Sequence, residues 1–358
     1  MTFAVRSTRS IVLAALLAAA VSVGGFAGAA VAAPAAPAAE AADAAGPTVD
    51  RIAGADRYEA AVNISKASKP GGSPVVFLVT GQNYPDALSA APAAVHLGAP
   101  LLLTTKDSLP AVVLAEIERL APQLVVIVGG VNSVSKAVET QIGAIINPDQ
   151  THPAINRVAG ADRYEASRNI ITYAFGTAAS KFYIATGANF PDALSAGSAG
   201  GAADTPVLLV DGGKPTLDGA TQSFLTTRDA NVSVKIAGGP NSVSPGIEAY
   251  LRSITDDVKR FAGADRFEAS LAINHDAFTG TAPARVFLAT GSNFPDALAG
   301  AAYAGALKSP LFVVHGDCVP SGILVEIAEL GAKKVTLLGG PASLSAGVAA
   351  LQSCEGPQ

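Results

Sequence analysis

Nine residues occur three times and limit what this chain can fold into: Thr80-Gly-Gln-Asn-Tyr-Pro-Asp-Ala-Leu88, Thr186-Gly-Ala-Asn-Phe-Pro-Asp-Ala-Leu194 and Thr290-Gly-Ser-Asn-Phe-Pro-Asp-Ala-Leu298. Seven of the nine positions are identical in all copies, an eighth is always Tyr or Phe, and the copies start 106 and 104 residues apart. That period is the length of a small domain. The chain is therefore three copies of one unit, and its function must be something a triplicated unit can do.

Each unit opens on a second repeated segment: Arg51-Ile-Ala-Gly-Ala-Asp-Arg57, Arg157-Val-Ala-Gly-Ala-Asp-Arg163 and Arg260-Phe-Ala-Gly-Ala-Asp-Arg266. A short strand, a glycine turn and a helix fit it. Asp56, Asp162 and Asp265 suit N-caps, and Glu59, Glu165 and Glu268 follow at capping-box spacing. Val75 to Val79, Pro100 to Leu103 and Leu124 to Val128 are short, continuously apolar runs, as expected of strands buried on both faces of a parallel sheet. Helices are expected to start at Pro85, near Pro110, Pro215 and Pro320, and after Ser135 and Ser244. Strand and helix thus alternate four times per unit, which predicts an α/β fold of three repeated small parallel-sheet units. The units are placed at 49–149, 150–258 and 259–358, with an irregular join from Asn147 to Asn156.

Parallel strands deliver the turns that follow them to one edge, the carboxyl edge of the sheet, where open α/β sheets place their sites. In the first unit that edge is expected to gather Gly54 to Arg57, Thr80 to Asp86, Thr104 to Pro110 and Gly129 to Ser135. These turns are the parts most alike among the copies, while the helix bodies have drifted, so either geometry or a shared ligand holds them. Arg57, Arg163 and Arg266 fall at the start of a helix, where the dipole disfavours a cation. Either a carboxylate pairs with each, or each guanidinium is held to grip a carboxylate or phosphate on a ligand. Asn83, Asn189 and Asn293 either cap the next helix or hydrogen-bond the ligand. Asp86, Asp192 and Asp296 complete the candidate ligand-binding set. They read first as helix starts; a metal or acid/base role beside Asp56, Asp162 and Asp265 is the minor alternative.

The residues give little sign of catalysis. His96, His152, His275 and His315 fall at unrelated positions of the units, and no nucleophile elbow, phosphate loop or zinc-ligand spacing occurs. No catalytic residue, metal or cofactor is expected.

Residues 1–32 have the form of a secretory signal: Arg6 and Arg9, an apolar run from Ile11 to Val23, then Ala30-Val31-Ala32 as a cleavage site. Residues 33–48 form an Ala- and Pro-rich leader without periodicity, read as disordered. The mature chain is expected outside the membrane, with no membrane insertion after cleavage. The full chain has 24 basic residues; without Arg6 and Arg9 it has 22 against 29 acidic, a net of −7. A broad basic face for nucleic acid or anionic lipid is thereby excluded, so an anion must be held by local placement of arginines and amides. Cys318 and Cys354 are the two cysteines, both in the third unit. In an oxidising compartment an isolated pair bonds, and this disulfide is expected to fasten the C-terminus.

The ordered set of motifs, from Arg-φ-Ala-Gly-Ala-Asp-Arg through Thr-Gly-x-Asn-φ-Pro-Asp-Ala-Leu and Pro-Leu-Leu-Leu to φ-Gly-Gly-x-x-Ser-φ-Ser, resembles the cell wall-binding repeat 2 family of Gram-positive surface proteins. The resemblance runs from about Asp50 to the C-terminus. It implies Toprim-like units packed around a pseudo-threefold axis, and a non-catalytic, secreted, wall-associated module that holds anionic secondary wall polymers without covalent attachment. The acidic metal motif of Toprim enzymes has no match here, so the fold alone carries over. Anionic cell-wall glycopolymer or peptidoglycan is the expected partner, with other surface proteins possible. Two further functions stay open: a wall-polymer hydrolase or amidase-associated modifier, and a structural surface-layer or adhesive protein.

Overall fold

The computed structural model describes residues 46–84, 87–228 and 232–354. The signal and all but the last three residues of the leader expected from the sequence, together with Pro85 and Asp86, lie outside the described residues. In the first unit β1 (Thr48–Ile52), α1 (Arg57–Ser68), β2 (Val75–Thr80), α2 (Ala90–His96), β3 (Leu101–Thr104), α3 (Ala111–Leu120), β4 (Leu124–Val128) and α4 (Lys136–Gly143) follow one another. The second runs β5 (Ala154–Val158), α5 (Arg163–Phe175), β6 (Lys181–Thr186), α6 (Pro191–Ala202), β7 (Val207–Val210), α7 (Gly219–Thr226), β8 (Ser233–Ala237) and α8 (Pro245–Ile254). The third runs β9 (Val258–Phe261), α9 (Arg266–Phe278), β10 (Arg285–Thr290), α10 (Pro295–Ala306), β11 (Leu311–Val314), α11 (Ser321–Glu329), β12 (Lys334–Leu338) and α12 (Ala346–Ala349).

The alternation is as expected, and the strands form three four-stranded sheets in which every pair is parallel. Their membership differs from the expectation that a unit completes its own sheet. The orders are β3-β2-β4-β5, β7-β6-β8-β9 and β11-β10-β12-β1. Each opening strand therefore joins the sheet of another unit: β5 completes the first, β9 the second, and β1 the third. The ring is closed by the first strand of the chain lying against the last, with Thr48 opposite Lys334 and Ile52 opposite Leu338. Composition agrees with this placement. The inner strand β2 reads Val-Val-Phe-Leu-Val-Thr and is buried along its length, while β1, β5 and β9 carry Asp50, Arg51, Arg157, Lys259 and Arg260, as edge strands do.

In the first two units alternate residues of the inner strands enter different cores, whereas in the third both faces of β10 belong to one continuous core. Phe77 and Val79 face the shared interior, and Val76 and Leu78 pack with Val113, Ile117 and Val138 of α3 and α4. Along the axis α2, α6 and α10 meet, and their small residues permit close approach. A side chain on Gly197 would sit 3.7 Å from Ala91 Cβ and 3.5 Å from Ala301 Cβ, each on a different helix. At one end of the axis Tyr84, Phe190 and Phe294 form a triangle with ring centroids 5.5, 5.6 and 6.0 Å apart, in the edge-on and tilted geometries aromatic quadrupoles favour. This packing accounts for the Tyr/Phe position of the nine-residue motif.

Two helix starts differ from the sequence reading, and one expected cap makes no bond. The second helix of the first unit begins at Ala90, beyond the expected Pro85 start. Asp218 caps α7, accepting from the Thr221 amide at 2.9 Å, and Pro215 precedes it in a turn. Ser135 occupies the N-cap of α4 with no capping bond, while Ser244 accepts from Ile247 N at 3.2 Å. Cys318 and Cys354 are bonded as expected. Their segments also pair directly, with Val319 N donating to Gln352 O at 2.8 Å and Cys354 N to Val319 O at 3.1 Å. Among the described residues no helix is long and apolar enough to cross a membrane.

Candidate functional site

Exchange of strands makes each carboxyl edge composite. The first sheet ends in Thr80 of β2, the Gly129-Gly130 turn after β4, and the Gly160-Ala161-Asp162-Arg163 turn after β5. The last of these belongs to the second unit. The turn from Gly54 to Arg57, expected on this edge, lies instead on the third sheet, because β1 is there. An open cavity of about 300 Å³ at the first edge is lined by Thr80 and Asn83, by Gly130, Asn132 and Ser133, and by residues 160–163. A larger cavity of about 610 Å³ lies between α9 and α11. It is lined mainly by the residues of those two helices, whereas the smaller one is built from the repeated turns.

Asp56, Asp162 and Asp265 are N-caps, each Oδ1 accepting from the next two helical amides at 2.8–2.9 Å. Glu59, Glu165 and Glu268 return the bond, accepting from the amides of Ala55, Ala161 and Ala264 at 2.6, 2.6 and 2.8 Å. The turn is thereby rigid, and it sets the following arginine at the first helical position. Arg57, Arg163 and Arg266 each donate Nη1 to the carbonyl of the glycine in the nine-residue motif: Gly81, Gly187 and Gly291, at 2.5, 2.5 and 2.6 Å. Those glycines leave room for the arginine stem: a Cβ on Gly81 would lie 3.2 Å from Arg57 Cδ and 2.9 Å from the Tyr58 ring. Among the described residues none of the three guanidiniums has a carboxylate within 4.0 Å. Arg57 also lies 5.9 Å from the centre of the Phe294 ring.

Asn83, Asn189 and Asn293 are exposed. Phe190 and Phe294 occupy the N-cap positions of α6 and α10, so Asn189 and Asn293 are not caps. Asn83 and Asn293 accept through Oδ1 from the next backbone amide at 3.0 Å, which leaves their amino groups directed elsewhere. Asp192 and Asp296 lie in the first turns of α6 and α10, as expected. Asp192 is buried and Asp296 half-buried. Burial pushes both carboxyls above the usual range. Ser242 and Arg266 oppose the shift at Asp192, and Ser343 and Arg57 oppose it at Asp296. The arginine acting on each carboxylate thus comes from the following unit, counted around the ring. Among the described residues no group of three or more His, Cys, Asp or Glu side chains is placed to hold a metal.

The sequence reading passed over the other arginine of the opening segment. Arg157 Nη1 donates to Gly129 O and Val134 O at 2.9 and 2.8 Å, and Nη2 reaches Glu139 at 2.7 Å. Arg260 bonds Gly238 O and Glu248, both at 2.8 Å, and Arg51 bonds Gly339 O and Leu344 O at 2.6 and 2.8 Å. These arginines bind the borrowed strand to the turn of its host. Their recurrence at one position of a strand was the available signal.

The profile of the family described as cell wall binding domain 2 matches residues 51–139, 157–248 and 260–349. The chain belongs to this family. Cell wall binding domain 2 repeats thus fill most of its length, and the α/β triplet above is their arrangement. Two relatives from Bacillus subtilis are each 30% identical: the N-acetylmuramoyl-L-alanine amidase LytC over 305 residues, 85% of this chain and 58% of the relative, and the amidase enhancer over 299 residues, 84% and 39%. The chain therefore spans about half the length of these relatives. Of solved structures, Cwp6 from Clostridium difficile superposes with a TM-score of 0.76 at 28% identity, covering 86% of this chain and 48% of that one. Cwp8 from the same organism gives 0.73 at 26%, covering 85% and 51%.

Proposed function

We propose that this protein attaches to the Gram-positive cell wall by holding an anionic wall polymer at three composite edges, each made by two units, and that it acts there as a secreted, non-catalytic binder. The observation that carries this reading is the shared setting of Arg57, Arg163 and Arg266. Each guanidinium is fixed by one bond to a glycine carbonyl two residues before an exposed asparagine and has no described carboxylate within pairing distance, and Arg163 lines one cavity with Asn83. A pre-oriented guanidinium with unused donors suits a carboxylate or phosphate. In this reading Asp192 and Asp296 support the edge from beneath.

Three sites fixed in one rigid body raise avidity through effective concentration, although each grips weakly. The similarity to an amidase and an amidase enhancer lies over the repeated units, which favours a role in attachment over hydrolysis. The test is sedimentation with isolated walls, before and after acid extraction of teichoic-type polymers. The parent protein should sediment with intact walls, lose this on extraction, and weaken as salt rises. The triple variant R57Q/R163Q/R266Q should lose most attachment while remaining folded at the assay temperature, although it gives up three part-buried bonds to glycine carbonyls. Undiminished attachment of a folded triple variant would overturn the proposal, and binding to fully extracted walls would point to peptidoglycan or a wall protein instead.

A further inference from the structure

We infer that Asn132 and Asn241 are ligand-contacting residues that make the first two edges read a sugar as well as a charge, and that the third edge is the weaker because Ala342 stands in their place. This rests on the wall-polymer reading above and adds to it the class of polymer.

The three turns concerned have one geometry. Gly129, Gly238 and Gly339 have φ of 113, 108 and 113°. Ser133, Ser242 and Ser343 each donate a backbone amide to the carbonyl of Gly130, Gly239 and Gly340 at 2.9 Å. The residue before each serine is exposed in every case: Asn132, Asn241 and Ala342. Since Ala342 sits in the same closed turn, the turn does not need a carboxamide. Among the described residues neither Asn132 nor Asn241 is recorded in a side-chain hydrogen bond, and Asn132 lines the cavity that Asn83 and Arg163 also line. At the first edge two exposed carboxamides thus stand with one guanidinium, Asn83 with its oxygen engaged by Tyr84 N and Asn132 without a structural task.

The chemistry of these groups names the ligand class. A guanidinium matches the acidic group. A carboxamide offers two donors and an acceptor in one plane: the donors suit phosphate or carboxylate oxygens as well, but the acceptor needs a donor on the ligand, which a hydroxyl or acetamido group supplies and a bare phosphate or carboxylate does not. The volume, about 300 Å³, is at the lower limit of small-ligand sites and suits one or two sugar residues of a longer chain. The inferred ligand is an acidic glycan, whose rings hold hydroxyl or acetamido donors at a fixed distance from its charge, rather than a flexible polyol phosphate.

Two probes of equal charge decide between these classes: an oligosaccharide of alternating N-acetylhexosamine and hexuronic acid, and a glycerol-phosphate oligomer. Binding of each to the whole mature protein is measured by titration calorimetry. N132A/N241A, which copies the third turn and so should fold, is expected to weaken oligosaccharide binding about threefold to tenfold, the worth of one neutral hydrogen bond per site, and to leave the polyol phosphate within twofold. A342N should strengthen the oligosaccharide. If N132A/N241A binds both probes as the parent does while R57Q/R163Q/R266Q loses them, the inference fails and the arginine sites stand. Failure of the parent to bind the oligosaccharide also overturns it. If the arginine variant binds like the parent, the underlying reading fails.

Discussion

The guanidinium of Arg51 donates to the carbonyl of Gly339 at 2.6 Å across 288 residues of chain. It makes the same bond that Arg157 makes to Gly129 and Arg260 to Gly238, so the ring closes by repeating its internal junctions. One part is missing. Glu139 and Glu248 pair with the arginine at the first two junctions at 2.7 and 2.8 Å, and Ala349 occupies that position at the third. Asp50 substitutes with bonds to Lys334 and Thr336, both at 2.6 Å, but these are more exposed.

The closing junction should therefore open first. Hydrogen exchange is expected to show the amides shared by β1 and β12 less protected than those between β4 and β5. R157M, which removes the bonds to Gly129 O, Val134 O and Glu139 and leaves that carboxylate to Lys136 alone, should cost roughly 1–3 kcal/mol in denaturant unfolding, more than R51M. Equal protection at all three junctions would contradict this.

Gly238 has φ of 108°, and a Cβ there would lie 2.3 Å from Oδ2 of Asp192. G238A should cost about 1–3 kcal/mol from the backbone alone, with the clash in addition. The neighbouring G239A meets nothing nearer than Ala262 Cβ at 3.9 Å and should be close to neutral. Thermal melts of the two variants check the contrast, and similar losses would show that the buried carboxylate does not constrain the turn.

The Cys318–Cys354 bond closes a loop with a separation of 36 residues. C318S/C354S should lower stability by about 3–4 kcal/mol on the chain-entropy account. The other two units have no cysteine, so wall sedimentation of the still-folded variant should be unchanged. Loss of attachment at temperatures where it remains folded would place the third unit's C-terminal loop in the binding surface.

His275 is held above the ordinary imidazole value by its hydrogen bond to Glu326 at 2.8 Å and by that carboxylate's charge. A base whose folded value is raised contributes stability that is fully present below its unfolded value, near 6.5, and is lost as pH rises through the folded value. The His275 side chain is 57% exposed, so the contribution is small and screened. Unfolding curves at pH 6 and pH 9 should converge for the parent and H275Q at the higher pH, with the parent the more stable at the lower. A constant difference would rule out the charged pair.

Much of the fold and part of the site were legible in the sequence. Asp56 with Glu59, and the prolines at 191 and 295, act where their local chemistry places them, because caps and first turns depend on a few neighbouring residues. Of the two roles open to Asn189 and Asn293, capping is removed because Pro191 and Pro295 take the first helical positions and leave the N-cap to Phe190 and Phe294. The placement of Arg57 beside Gly81 needed the folded chain, since those residues lie 24 positions apart.

From its residues alone this chain is determined to be three α/β units with buried parallel strands, repeated turns at their ends and a paired set of cysteines, because burial, turn geometry and capping are written in short stretches of sequence. Which sheet receives each opening strand was decided by tertiary structure. Val-Asp-Arg-Ile and its counterparts specify an edge strand but no particular edge, and three equivalent edges were on offer. Packing of α2, α6 and α10 about one axis brings each donor strand to the neighbouring sheet, and thereby sets Arg163 of one unit beside Asn83 of another.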